Sequence, residues 1–168
     1  RDHNTLLVDG KGMGADGTYW IYSGFPDRDI PYSKWTPARI EKLHLELDYA
    51  YAMGNFSTVY PEELGRLTVR RHFVATRDFI VVRDELGGDR PHEFTWLLHA
   101  DNAFEETAPR VFETTLGGAR LTTHVLRPAP PRSSTGPAMV FQKGKPHEGV
   151  EEPRGHELAL STDGAVPA

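Results

Sequence analysis

The stretch Ile40-Glu41-Lys42-Leu43-His44-Leu45-Glu46-Leu47-Asp48-Tyr49-Ala50-Tyr51 decides the fold class. From Leu43 to Tyr51, large apolar or aromatic residues alternate one by one with charged, polar or small residues. Successive side chains of a β-strand point to opposite faces, so strict alternation is the pattern of a strand and not of a helix. The sequence therefore predicts one strand over residues 40–51.

Two more strands follow from the same reasoning. A second alternation runs from Leu67 to Phe73, and the short run Phe79–Val82 is continuously apolar. A short apolar run is typical of a strand that is covered on both faces. The loop of residues 86–91 contains two glycines, and we predict that it joins this strand to the next one, residues 92–99, in a hairpin.

Later in the chain, Phe94, Trp96 and Leu98 are spaced to lie on one face of a strand. The pair Gly117-Gly118 separates two strand-like stretches and tolerates the positive φ of a tight hairpin turn. Only Pro61–Leu64 has a helical pattern, and it is long enough for a single turn. The predicted fold class is therefore all-β, a meander of antiparallel strands.

Composition excludes several functional classes. The chain has 168 residues, a formal net charge of −5 and no cysteine. Without cysteine there is no disulfide framework, no thiolate metal cage and no cysteine nucleophile. No stretch approaches the roughly 18 apolar residues of a membrane-spanning helix, and no basic face suggests nucleic acid. We therefore expect neither a membrane nor a nucleic acid as partner.

The chain is expected to be a piece of a larger folded unit. It starts at Arg1 without a signal segment, and Leu6–Val8 already has the pattern of a strand. We assign residues 1–127 to a large antiparallel β-sandwich portion. Residues 128–153 are rich in proline and glycine and are predicted to be a long loop or a poorly ordered segment, and residues 154–168 to be the last strand and a truncated end.

The eight histidines are the first candidates for chemistry. None belongs to a metal-binding spacing such as HxH or HExxH, so spacing alone gives no metal site. His99 at a strand end is expected to be structural, whereas His44 and His124 are expected to be solvated. The adjacent acids Asp84 and Glu85 are expected to face opposite sides of a strand, which argues against glycosidase chemistry.

An aromatic cluster lies in the glycine- and proline-rich region from Tyr19 to Trp35. Aromatic side chains in loops can stack on sugar rings, but they also pin long loops to a sheet. The second interpretation is favoured from the residues alone, because Trp and Tyr bury large areas while satisfying their polar ends.

The segment Arg1-Asp2-His3-Asn4-Thr5-Leu6-Leu7-Val8-Asp9-Gly10-Lys11-Gly12 resembles the R-x-H-N-T-x-x-V-D-G stretch of heparinase II/III-like polysaccharide lyases. The strand patterns of residues 70–86 and 94–99 are also similar to those of that family. The resemblance covers about the first three quarters of the chain. It implies a parent protein with an N-terminal α/α toroid followed by a β-sandwich.

The resemblance also implies an activity, the cleavage of uronic-acid glycans such as heparin, heparan sulfate or alginate by β-elimination. The tyrosine and histidines that act as acid and base in the family lie upstream of Arg1, so we expect no catalytic residue in this chain. One site residue carries over: His3 matches a zinc ligand of the family's sandwich, with the other ligands also preceding Arg1. The chain alone is therefore expected to bind zinc poorly.

The expected partners are an anionic polysaccharide or oligosaccharide and the toroid domain of the parent, and the expected location is periplasmic or secreted, all by resemblance. The alternative is a noncatalytic carbohydrate-binding or scaffold β-sandwich, with the aromatic region between Tyr19 and Trp35 as its binding platform.

Overall fold

The computed structural model describes residues 4–13, 38–126, 132–141 and 151–162. Regular structure in this part of the chain consists of antiparallel strands and one short 3-10 turn, Glu62–Leu64, which confirms the all-β prediction. The strands are β1 (Leu6–Val8), β2 (Arg39–Leu45), β3 (Tyr49–Asn55), β4 (Leu67–Thr76), β5 (Ile80–Gly88), β6 (Phe94–Ala100), β7 (Glu105–Ala108), β8 (Val111–Leu116), β9 (Ala119–His124), β10 (Arg132–Phe141) and β11 (Glu151–Ser161). No helix among the described residues is long and apolar enough to cross a membrane.

The chain divides into two compact units. Unit 1 comprises Arg1–Gly12 and Glu93–Ala165, and unit 2 comprises Met13–His92 with Val166–Ala168. Unit 1 contains one sheet of order β1-β6-β11-β10 and a second of order β7-β8-β9. The described residues of unit 2 form a sheet of order β2-β3-β4-β5.

The core of unit 1 lies between its two sheets. Phe112 of β8 and Leu158 of β11 are almost fully buried, and they pack with Phe104 and Leu160. Partly buried hydrophobic residues surround this cluster, namely Trp96, Leu98, Ala100 and Val125. Trp96 and Leu98 thus share one face of β6, as their spacing predicts, because a sheet must bury its apolar face against another layer.

The prediction of one strand over residues 40–51 is wrong, because the chain reverses within it. β2 ends at Leu45 and β3 begins at Tyr49, and the Glu46 N–H donates to the Tyr49 carbonyl over 2.9 Å to close the turn. Leu45 pairs with Ala50. Next to the turn, the odd-numbered residues of β2 therefore share a face with the even-numbered residues of β3. The alternation is continuous in the sequence because Leu47 and Tyr49 keep the spacing of the large residues through the turn, and Asp48 is its one turn-favouring residue.

The predicted cover on both faces of Phe79–Val82 is also wrong. This run leads into β5, the edge strand of the unit 2 sheet, where Ile80 and Val81 are 65% and 40% exposed. The hairpin predicted at residues 86–91 is absent, since β5 continues to Gly88 and pairs with β4, whereas β6 pairs with β1 and β11. The partner strands of β6 lie far away in the sequence, so the loop between β5 and β6 does not indicate them.

Two shorter predictions are confirmed. β8 and β9 form a hairpin in which Leu116 pairs with Ala119 around the glycine pair, and Gly117 has a φ of 58°. The predicted helical turn is the 3-10 turn Glu62–Leu64, which carries acidic residues at its start.

The segment 128–153, predicted as a loop or a poorly ordered stretch, contains β10 and the first residues of β11. β10 is an edge strand, and the pairing with β11 shifts register between Pro137 and Met139. Proline lacks an N–H donor and is tolerated in sheets at edges and bulges. A proline-containing sequence can therefore form a strand at this place.

Candidate functional site

The segment that follows His3 is fixed to β6 by two kinds of hydrogen bond. The Leu97 N–H donates to the Thr5 carbonyl over 2.9 Å. Two residues further along β6, the His99 N–H donates to the side-chain oxygen of Asn4 over 2.7 Å. Asn4 therefore continues the ladder beyond the end of β1. His3 itself lies outside the described residues.

The Val-Asp-Gly part of the same motif forms a tight turn. Val8 and Lys11 exchange two backbone hydrogen bonds of 2.9 Å, and the two residues between them, Asp9 and Gly10, have φ of 49° and 75°. Positive φ at both central residues is the geometry of a type I′ turn, which favours Asp-Gly. The Asp9 carboxylate also accepts the Glu93 N–H over 2.8 Å, which anchors the turn beside the start of β6.

Next to Asn4, the His99 side chain faces Glu157 across the β6–β11 pair. His99 Nε2 lies 3.4 Å from a Glu157 carboxylate oxygen, and the ring is mostly buried. The expected structural role of His99 is consistent with this position, since its backbone holds Asn4 and its ring pairs with an acid. His99 Nδ1 is buried without a hydrogen-bond partner among the described residues.

A metal site is not formed by the described residues alone. In this part of the chain no three His, Asp or Glu side chains converge closely enough to hold an ion. Zinc requires three or four such ligands, and His99 with Glu157 supplies two. The zinc ligand implied by resemblance, His3, lies outside the described residues, as does the aromatic region between Tyr19 and Trp35.

Three other described histidines differ in their exposure to solvent. His44 is exposed and lies 2.9 Å from the Glu46 carboxylate, and His124 is exposed on β9, in agreement with the prediction for both. His92 is 1% exposed, and its ring lies so close to Gly88 that a methyl group added there would come within 2.6 Å of it.

A second polar cluster, which sequence reasoning missed, lies on the unit 2 sheet. The Tyr51 hydroxyl is 3.0 Å from His72 Nδ1, and His72 Nε2 is 3.2 Å from a Glu85 carboxylate oxygen. These residues belong to β3, β4 and β5. No motif connects them in sequence, and only the strand register brings them to one face.

Asp84 and Glu85 project to opposite faces of β5, as the strand pattern predicts. Asp84 receives two hydrogen bonds from Arg71, of 2.7 and 2.8 Å, whereas Glu85 faces His72. The two carboxylates therefore cannot act as a pair in one cleft.

Comparison with known proteins gives no assignment. No protein-family model matches the chain, and no curated protein matches it.

Proposed function

We propose that this chain is the C-terminal β-sandwich portion of a heparinase II/III-like polysaccharide lyase that cleaves uronic-acid glycans by β-elimination. The observation that carries the proposal is the motif after His3, because the polar side chains of this motif make hydrogen bonds to the backbone of β6 and of the residue before it. Asn4 and Asp9 each accept a hydrogen bond from a backbone N–H of unit 1, so the segment that follows His3 is tied to this unit at two points.

In β-elimination a base removes the proton at C5 of the uronate, the C4–O bond breaks, and a C4–C5 double bond forms. The departing oxygen takes a proton from an acid, and cationic or hydrogen-bonding groups stabilise the charge that develops on the C6 carboxylate. We place the acid and base upstream of Arg1, on the toroid domain of the parent. The sandwich would form one wall of the glycan cleft, in a periplasmic or secreted protein.

Zinc is part of the proposal only through His3. The resemblance makes His3 one ligand, and the other ligands belong to the parent. Zinc bound there would hold this part of the sandwich together, as structural zinc does by contributing to folding energy.

The test uses the whole protein that contains this chain. Alginate, heparan sulfate, chondroitin and glucuronan are supplied in turn, and the ultraviolet absorbance of the unsaturated uronate product is followed. We expect one substrate to be cleaved, with His3→Ala losing both activity and zinc. Asn4→Ala is expected to lower activity and to weaken zinc binding by a smaller factor. Asn102→Ala, which removes a hydrogen bond to the Thr115 carbonyl, serves as the matched control.

Cleavage of no uronate would contradict the proposal. Cleavage that His3→Ala leaves unchanged would retain the lyase and remove the role of His3.

A second candidate, a noncatalytic carbohydrate-binding module, is favoured by one observation. The unit 2 sheet exposes Tyr49 and Arg83 on one open face, which suits binding without elimination. Glycan binding by a whole protein that cleaves none of the four polymers would favour this candidate.

A further inference from the structure

We infer that one face of the unit 2 sheet binds the carboxylates of an anionic polysaccharide. This polar face is defined by Lys42, Tyr49, Tyr51, His72, Arg83 and Glu85. The inference rests on the proposed function for its ligand class, uronate polymers, and adds to it the surface that would hold them.

The strand register brings these residues together. Lys42 pairs with Met53, Met53 with His72, and His72 with Arg83, so one row crosses all four strands. Paired residues in antiparallel strands point to the same face. With strands about 4.8 Å apart, the row from Lys42 to Arg83 spans about 14 Å.

The positive charge on this face is incompletely neutralised. Glu85 is shared, because Arg70 lies 3.8 Å, Arg83 3.2 Å and His72 3.2 Å from its carboxylate. Among the ion pairs of the described residues, none involves Lys42 or its neighbour on the same face, Arg39.

The remaining carboxylates of the face already have partners. Glu41 accepts a hydrogen bond from Asn55 over 2.8 Å, and Glu46 faces His44. Asn55 is neutral, so Glu41 keeps its negative charge. The cations of the face nevertheless outnumber its carboxylates by one, with Arg39, Lys42, Arg70 and Arg83 against Glu41, Glu46 and Glu85.

The charged groups are accessible and the aromatic groups are suited to sugars. The Arg83 side chain is 66% exposed, and Tyr49 is 40% exposed. Guanidinium groups bind carboxylates through a planar fork, whereas tyrosine rings offer a rigid amphipathic surface at low entropic cost. This combination fits an acidic sugar better than a neutral one.

The shape of the face favours a polymer over a small molecule. Tyr51, His72 and Glu85 are linked by contacts of 3.0 and 3.2 Å. The strands beneath them form one hydrogen-bonded sheet, with a register shift between Ile40 and Lys42. The result is an open surface across four strands, on which several sugar units can contact the protein at once.

The test measures binding and cleavage separately in the whole protein. Binding to alginate is measured by isothermal titration calorimetry at low ionic strength, with neutral dextran and single-stranded DNA as comparison ligands. The variant is Lys42→Glu with Arg83→Glu. The matched control is Arg110→Glu with Arg120→Glu, which reverses two exposed cations of unit 1 and so changes the formal charge by the same amount. Circular dichroism checks that all three proteins are folded.

We expect alginate to bind the wild-type protein and the control equally, and the double variant about tenfold or more weakly, with the difference shrinking as salt is added. Dextran and DNA should bind much more weakly than alginate. Unchanged alginate binding in the folded double variant would overturn the inference, as would absence of alginate binding by the wild type or equal binding of DNA.

Cleavage separates the inference from the proposed function. Cleavage of a uronate polymer with unchanged binding in the double variant would overturn only the assignment of the polar face. Alginate binding that is lost in the double variant, without cleavage of any uronate by the wild type, would support the polar face and overturn the lyase.

Discussion

The two faces of the unit 2 sheet are built from alternate residues of the same four strands, and they differ in chemistry. The polar face carries cations, tyrosines and carboxylates, of which Glu85 is shared by Arg70, His72 and Arg83. The opposite face, which we call the apolar face, carries Leu43, Leu45, Phe73, Ile80 and Val82. One strand order therefore supports both a surface suited to anions and a surface suited to packing.

The apolar face is itself divided along the strands. At one end Val69 is 2% exposed, and Phe56 lies so close to Gly54 that a methyl group added there would come 2.8 Å from its ring. At the other end Leu43, Leu45 and Ile80 are mostly exposed. The difference teaches that the buried side chains of this sheet are concentrated at the covered end, whereas the ligand binding that we propose is assigned to the polar face.

The largest expected effect is a difference in unfolding free energy between removing an arginine of the apolar face and removing an arginine of the polar face. Arg71 and Asp84 form a two-fold hydrogen-bonded pair at the covered end, with side chains 11% and 13% exposed. Arg71→Ala leaves a buried carboxylate unpaired and should lower the free energy of unfolding by about 3–5 kcal/mol. Arg83→Ala, on the polar face, should change it by less than about 0.5 kcal/mol. Urea denaturation measures both.

Removing both partners of the buried pair refines this comparison. Arg71→Met with Asp84→Leu should cost less than Arg71→Ala alone, because no unpaired charge is left. Equal stability losses for Arg71→Ala and Arg83→Ala would mean that the two faces do not differ as described.

The second effect compares the two ends of the apolar face. Val69→Ala should lower the free energy of unfolding by about 2 kcal/mol, since it removes buried methyl groups. Ile80→Ala removes a larger group from an exposed position and should cost less than about 0.5 kcal/mol. The same denaturation experiment decides, and a larger loss for Ile80→Ala would show that stability is not concentrated at the covered end.

The third effect is a pH dependence at the covered end. Burial raises the pKa of Tyr60 well above its usual range, although the positive charge of Arg71 partly opposes the shift. The folded state thus favours the neutral phenol. Its contribution to stability is complete below the unfolded pKa of about 10 and is lost as the pH rises above that value, by up to about 1.4 kcal/mol per pH unit.

Tyr60→Phe provides the control for this dependence. Urea denaturation at mildly alkaline pH and again above pH of about 10 should show a smaller decrease in stability for Tyr60→Phe than for the wild type. Parallel decreases in the two proteins would assign the alkaline loss to other groups.

The smallest effect concerns the polar face. Tyr51→Phe removes the hydroxyl that contacts His72 Nδ1 over 3.0 Å and should cost about 1 kcal/mol or less, because the site is only partly buried. Alginate affinity should fall modestly if the ring orientation of His72 matters for binding. A stability loss as large as that of Arg71→Ala would place the main support of the sheet on the polar face instead.

The sequence predicts individual strands better than their partners. The alternation from Leu67 to Phe73 and the turn at Gly117-Gly118 are local signals, and both are confirmed. The turn after Leu45 escaped prediction because the alternation of large and polar residues continues through it without a change of phase, and Asp48 alone is a turn-favouring residue there. Because the chain reverses, Tyr49 and Tyr51 lie on the face opposite Leu43 and Leu45.

The candidate sites depend still more on distant pairing. The motif points to His3, but the role of Asn4 requires the His99 N–H, which lies 95 residues away in sequence. Likewise, only the register of three strands brings together Tyr51, His72 and Glu85. Spacing within a short motif cannot supply such information.

The most direct test of the polar face as the surface that binds anions is lysine footprinting of the whole protein. Acetylation of Lys42 on the polar face and of Lys11 in unit 1 is followed by mass spectrometry with and without alginate. We predict that alginate slows the modification of Lys42 and leaves that of Lys11 unchanged. Unchanged modification of Lys42 in the presence of bound alginate would contradict the account, since the ligand would then lie elsewhere.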